Sequence, residues 1–284
     1  VPRYGCWGEL GQCGRDFNSW ERLLTQGRVL VMYLGQILLP LPDRLPFIYD
    51  DYIVSRNFWQ PWTTVPAWLL VASLIALAWC GRNIRPVFAF GVLLFFAGHF
   101  VSSNVILLEL VFEHRNHLPL IGAVLALSDV VLLVCQRFGW GARIIASIFM
   151  VVSVLLASSS VYRIYIWGDN IRLGQSMTQM VPSSVRAWAE YSSAYNDRYN
   201  ATKDKKYLIG AIAVGEESLK HIHSPIMVGN MVMYKTILGT TQEQDWQLFY
   251  QSLQGNSSQS QKQSMVNFLF DNYLRGADVD EQRL

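Results

Sequence analysis

VPAWLLVASLIALAWCGRNIRPVFAFGVLLFFAGHFV, residues 65–101, decides the fold. It contains two apolar runs, Val65–Cys80 and Pro86–Val101, separated by a turn that carries Arg82 and Arg85. Two further runs follow, Leu118–Cys135 and Ile144–Tyr162, separated by QRFGWGAR with Arg137 and Arg143. Each is about 16 to 20 residues long, close to the ~20 that a helix needs to cross ~30 Å of hydrocarbon. The runs hold almost no charge and no polar face, whereas a helix of a soluble bundle keeps one side for water. Trp62, Trp68 and Trp79 sit where a membrane-interface belt places aromatic rings. The spacing therefore predicts four spanning helices.

Composition agrees. Of 284 residues, 51% are hydrophobic and 15% charged, with a mean hydropathy of +0.21, and the apolar excess is concentrated in the runs. The net charge is +2 and no Lys/Arg block exists to track phosphates, which argues against a nucleic-acid partner. Cys80 and Cys135 end apolar runs as small hydrophobes. Cys6 and Cys13, in the loop GCWGELGQCG, have the composition of a bridge if that loop meets an oxidising compartment.

Upstream of the runs, SWERLLTQGRVLVMYLGQILLP (19–40) reads as a helix capped at Ser19, with Glu21 in its first turn and Pro40 as its stop. Arg22, Gln26, Arg28 and Gln36 interrupt its apolar face, so an interfacial helix is expected rather than a span. The Pro-rich stretch 39–66 is expected to form an ordered loop or a short re-entrant stretch rather than an element within lipid. Downstream of Arg163, four segments beginning near Pro182, Lys205, Ser224 and Thr241 read as successive helices of an αα stack, with a last helix near Gln261–Leu274. The expected architecture is all-α: an extracytoplasmic region at 1–64 with the interfacial helix, a four-helix membrane domain at 65–163, and a soluble helical tail at 164–284. Arg-bearing first and third loops place those loops in the cytoplasm and both chain ends on the other side. NAT at Asn200 and NSS at Asn256 match glycan-acceptor patterns that recur by chance. The start at Val1 suggests excision from a longer protein.

Candidate chemistry gathers in two places. EHRNHLP, residues 113–119, precedes the third span, with Glu109 four residues before Glu113 on one face if the helix continues. Arg115 with His114 or His117 has the fork and donors to hold a phosphate, while Glu113 orients a hydroxyl. The plainer reading is an ion-paired cap on the span. A metal cage of His114, His117 and the two glutamates lacks the ligand spacing of known sites. Asp50 and Asp51 form the second place. One of them suits a divalent cation, the sole cofactor these residues leave open, or a base. As a turn pair they would simply bond backbone amides. Arg28 is positioned to share their pocket.

The segments FNSWERLLTQGRVLVMYLGQILLPLPDRL (17–45), DDYIVSRNF (50–58), PWTTVPAWL (61–69) and FAFGVLLFFAGHFVSSNVILLELVFEHRNHLPLIG (88–122) resemble, in order, bacterial polytopic membrane proteins with C-terminal tetratricopeptide repeats. Those proteins are similar in turn to the eukaryotic transmembrane-and-tetratricopeptide O-mannosyltransferases. The resemblance implies a glycosyltransferase of the bacterial inner membrane that uses a polyprenyl-phosphate sugar on the periplasmic side, with helical repeats engaging an acceptor protein. Arg28, Asp51, Ser55, Glu113, Arg115, Asn116 and Pro119 fall on its patterned positions. Its catalytic acid belongs to an earlier loop, so this chain reads as the C-terminal part of such an enzyme. The tail departs from a clean repeat array. The competing expectation is a non-catalytic membrane scaffold whose tail binds an envelope or pilus-type partner.

Overall fold

The computed structural model describes residues 16–101, 103–104, 108–254, 262–263, 265–267 and 270. Among these the chain is all-helical, without strands. It divides into two compact units. The described residues up to Leu45 join Tyr52–Ser160 in the first, and Pro46–Asp51 join the described residues from Val161 onward in the second. The boundaries expected at 64 and 163 thus shift: the N-terminal helix belongs with the apolar helices, and a six-residue strip of the Pro-rich loop belongs with the tail.

In the first unit α1 spans Ser19–Leu38, α2 Thr64–Gly81, α3 Pro86–Phe100, α4 His117–Phe138, and α5 starts at Ala142 and runs to Trp167. α2, α4 together with its leading turn, and α5 are long and apolar enough to cross a membrane. α3 is apolar but has 15 residues, about 22 Å of helix.

The start of α1 lies one residue earlier than expected. Asn18, not Ser19, is the cap: its Oδ1 accepts from the Glu21 amide at 2.9 Å, and Glu21 Oε2 accepts from the Asn18 amide at 3.0 Å. This reciprocal pair satisfies two orphan donors. The reasoning behind an interfacial α1 is also corrected. Arg22, Gln26 and Gln36 are buried rather than facing water, and Arg28 is tied to the 53–55 loop. α1 packs on α2, with Trp68 Nε1 donating to Leu24 O at 3.1 Å and the Trp68 ring lying against Gly27.

α2, α3 and α4 share a core of Ala78, Ala89, Val92 and Ala126. α3 and α4 run antiparallel, since Gly91 meets Gly122 while Gly98 meets Pro119. Asp129, a carboxylate inside the apolar α4, is 3.6 Å from Arg85; pairing is what makes such a charge tolerable among apolar helices. None of the apolar window of α5 is buried. Ser158 and Ser160 donate to Val154 O and Leu156 O of their own helix at 2.8 and 2.9 Å.

The second unit is a series of helices, each packed on the next: α6 Asn170–Met180, α7 Val185–Thr202, α8 Lys205–Ser218, α9 Pro225–Leu238 and α10 Glu243–Gln254. The last four match expectation. α6 was not anticipated, although Asp169 is a legible cap for it. Close approach relies on small residues facing large ones: Gly174 receives Tyr191, Gly210 receives Tyr195, and Gly215 receives Met231. Pro46–Asp51 adds Ile48 to a core of Met177, Val181 and Ala187. Of the expected helix Gln261–Leu274 only 262–263, 265–267 and 270 are described, and they are helical. Cys6, Cys13 and Asn256 lie outside the described residues.

Asp169 accepts the Arg172 amide at 3.0 Å and an Arg198 N–H at 2.7 Å. The amide bond chiefly, and then the guanidinium, hold its carboxyl below the usual carboxylate range. A depressed folded-state value adds stability at pH above the unfolded value of about 3.8, and that stability is lost as pH falls through the lower folded value. Asp169→Asn keeps an acceptor for the cap but loses the charge. Thermal melting followed by circular dichroism should show wild type and variant separated at neutral pH and converging in acid. A separation that persists unchanged in acid would mean the charge contributes nothing.

Candidate functional site

The polar interior of the first unit is built by α1. The Arg22 side chain has no exposure to solvent. Its Nε donates to Asn104 O at 3.0 Å, and its Nη1 donates to Leu108 O and, at 3.1 Å, to Glu109 O. One turn later Gln26 Nε2 donates to Leu110 O at 3.0 Å. Two turns beyond, the Tyr33 hydroxyl donates to Phe112 O at 3.1 Å and accepts the Phe112 amide at 2.9 Å. Residues 22, 26 and 33 lie on one helical stripe, and together they clamp non-helical backbone at 104 and 108–112. Backbone outside a helix survives next to lipid only where protein groups satisfy it; Arg22, with five N–H donors, satisfies three carbonyls at once.

The clamped stretch delivers the Glu113–Asn116 motif, which forms a single 3-10 turn running into α4. The chain at Phe112 is extended, so no helix continues through it and Glu109 and Glu113 do not share a helical face. Arg115 Nη1 donates to Glu109 O at 2.6 Å, and its guanidinium lies 5.2 Å from the Phe112 ring centre. His117 Nδ1 is 2.6 Å from His114 O, and both imidazoles are exposed. Among the described residues no group of three or more His, Cys, Asp or Glu side chains is arranged to hold a metal ion.

Behind the turn, His99 of α3 is buried. It stacks on Tyr33 with ring centres 5.2 Å apart and meets the edge of Phe95 at 4.8 Å. Burial pushes the Tyr33 phenol up despite the bond from the Phe112 amide and the nearby charges of Arg115 and Arg22. Tyr33 is thus a neutral pin between α1 and the turn.

The remaining candidates separate. Arg28 Nη1 donates to Ile53 O at 2.7 Å and reaches Ser55 Oγ at 3.4 Å, with its guanidinium 5.2 Å from the Tyr52 ring centre. Burial raises the Tyr52 phenol to about 12 even though Arg28 pulls it down. Ser55 is buried, its amide donating to Thr25 Oγ1 at 2.8 Å and its hydroxyl 2.9 Å from Thr64 Oγ1. These contacts hold the loop that enters α2. Asp50 belongs to the second unit, where it accepts from Ser184 Oγ at 2.6 Å and Arg186 Nη2 at 2.8 Å. This exposed pair contributes no more than about 1 kcal/mol, and it docks the 46–51 strip on the start of α7. Asp51 is exposed in the same unit.

Glu113, His114 and Arg115 share one turn, with His117 opening α4 directly after it, and Arg28 lies in the same unit, committed to its loop. Asp50 and Asp51 fall in the other unit. Sequence reasoning missed Arg22, Gln26 and Tyr33 as organisers; the signal available was their 4- and 7-residue spacing on α1. Comparison of the chain with protein-family models, with curated proteins and with solved structures gives no match.

Proposed function

We propose that this chain is the C-terminal part of a membrane glycosyltransferase that takes its sugar from a polyprenyl-phosphate donor and modifies an extracytoplasmic protein. The observation that carries the reading is the clamp of Arg22, Gln26 and Tyr33 on the backbone of Asn104 and of residues 108–112. A plain membrane anchor has no use for a buried guanidinium dedicated to presenting one polar turn. Beside that turn, Phe100, Val101 and Leu118 expose apolar surface at the ends of α3 and α4. Cationic and hydrogen-bonding groups beside greasy helix ends suit a donor with an anionic head on an isoprenoid chain. Arg115 spends one N–H on Glu109 O and has others for phosphate oxygens. Glu113 would orient a sugar hydroxyl, and the catalytic acid would come from a loop outside this chain. The motif order 17–122 supports the same family resemblance.

In this reading α3 is the fourth crossing, since short turns join it to α2 and it packs antiparallel on α4. Four crossings return both ends to the periplasmic face of a bacterial inner membrane, where the α6–α10 stack, a tetratricopeptide-like array, would meet the acceptor.

The test is sugar transfer from a polyprenyl-phosphate donor by the protein expressed from its complete reading frame. Glu113→Gln combined with His114→Ala alters the exposed rim and spares the clamp. Transfer should fall roughly 100-fold, the scale of a lost acid–base or orienting group, while thermal unfolding is unchanged. His223→Ala, at an exposed tail histidine, should have no effect. Unchanged turnover and donor affinity in the rim variant would leave the scaffold reading in its place.

A further inference from the structure

We propose that the turn Phe58–Trp62 is an interfacial anchor lying in the lipid headgroup layer at the start of α2; this rests on α2 being a membrane crossing. Trp59 and Trp62 are each 75% exposed, and Phe58 and Trp20 of α1 are 48% and 44% exposed. Trp20 and Phe58 meet edge to face at 5.8 Å, so the rings form one aromatic surface across α1 and the loop. So much exposed aromatic area next to an apolar helix marks an interaction surface.

The turn is built to hold these rings outward. Asn57 Oδ1 accepts the amides of Trp59 and Gln60, both at 2.9 Å, and the Arg56 amide donates to Gln60 O at 2.9 Å. Arg56 in turn binds both Glu21 carboxylate oxygens at 3.1 Å, which fixes the turn to the start of α1. Thr64 donates from both its amide and its hydroxyl to Pro61 O, at 3.0 and 2.8 Å, which fixes it to α2.

Continuity with α2 selects lipid as the occupant. Trp62 lies just before the first turn of α2, and Trp79 lies near its last. The separation along the helix is roughly 25 Å, close to the ~30 Å hydrocarbon thickness. At the far end the Arg82 guanidinium sits 4.5 Å from the Trp79 ring centre, a charge reaching past a ring as at a membrane interface. Tryptophan favours that layer because its body is apolar and its N–H is polar.

The experiment uses the full chain with fluorotryptophan in phosphatidylcholine nanodiscs, each fluorine resonance assigned by a single replacement such as Trp59→Phe. A nitroxide on the upper acyl chain should abolish the signals of Trp59, Trp62 and Trp79, and should spare the buried Trp188 and Trp246 of the tail. A water-soluble gadolinium chelate should leave Trp59 and Trp62 visible. If Trp59 and Trp62 survive the lipid nitroxide while Trp79 is lost, the anchor is overturned and the crossing stands. Survival of both rings under both probes means that protein covers them, which also overturns the anchor. Survival of the Trp79 signal under the lipid nitroxide overturns the crossing itself.

Discussion

Arg22→Met should lower the unfolding free energy of the first unit by about 3–5 kcal/mol, the largest effect expected of any single replacement in the chain. Methionine fills much of the same volume but donates nothing. The carbonyls of Asn104 and Leu108 would lose this donor together, while Glu109 O would keep its bond from Arg115. Each orphaned buried acceptor costs about 1–3 kcal/mol, and bonds from a charged donor lie at the upper end of the net range. The total is less than the sum, because the backbone at 108–112 can shift toward water when its clamp is gone. Arg22→Lys separates charge from geometry: an ammonium keeps the charge but cannot fork to the carbonyls of Asn104, Leu108 and Glu109 at once, so most of the loss should remain. Chemical unfolding in detergent micelles gives the magnitude. Hydrogen exchange locates it, with faster exchange expected at the Phe112 amide and little change in α6–α10. A loss below about 1 kcal/mol would show that water satisfies those carbonyls and that Arg22 is not the clamp.

The apolar helices were legible because length and uniform hydrophobicity survive any tertiary context. The run Leu118–Cys135 lies inside α4, His117–Phe138, and Val65–Cys80 lies inside α2, Thr64–Gly81. The inward turn of the α1 polar residues was not legible, because a polar stripe has the same period whether it faces water or a buried loop. What distinguishes the two is the partner, and for Arg22 and Gln26 the partner is backbone 82 to 87 residues away, which leaves no side-chain pattern in the sequence. The Asn18 cap could have been read locally: Asn18 and Glu21 have the capping-box spacing, whereas Ser19 would have put Arg22 at the position that calls for Glu. Asp50 illustrates the opposite limit. An aspartate in a Pro-rich loop reads equally well as a ligand or a turn former, and its bonds to Ser184 and Arg186 depend on a strip of that loop joining the second unit. The EHRN turn was recognised as a unit because its four residues are contiguous. Its height and orientation, however, are set by α1 and by the α3–α4 crossing.

That crossing carries the second large effect. A Cβ on Gly91 would stand 2.5 Å from Gly122 O and 2.6 Å from the Ala126 amide nitrogen; one on Gly122 would stand 2.5 Å from Gly91 O and 2.6 Å from the Phe95 amide nitrogen. Every one of these neighbours is backbone, so no side-chain rotation relieves the clash and the two helices must part. Gly91→Ala and Gly122→Ala should each destabilise the first unit by about 1–3 kcal/mol, the cost of overpacking a close contact, of the kind small residues permit between apolar helices. Their combination should cost less than the sum, since a single separation of α3 from α4 accommodates both methyls. Gly35→Ala is the control of opposite sign: it lies within α1 with nothing within 4 Å of its would-be Cβ, and a helical glycine replaced by alanine in open space gains about 0.5–1 kcal/mol. Parting α3 from α4 would also draw Gly98 away from Pro119, the residue that seats the start of α4 directly after the EHRN turn. On the proposed glycosyltransferase reading, both alanine variants should lower sugar transfer as well as stability, and added membrane thickness or lower temperature should not restore it. Full activity in a measurably destabilised Gly122→Ala protein would mean that the position of the turn is indifferent to the crossing, and the chemistry would then have to be sought elsewhere in the chain.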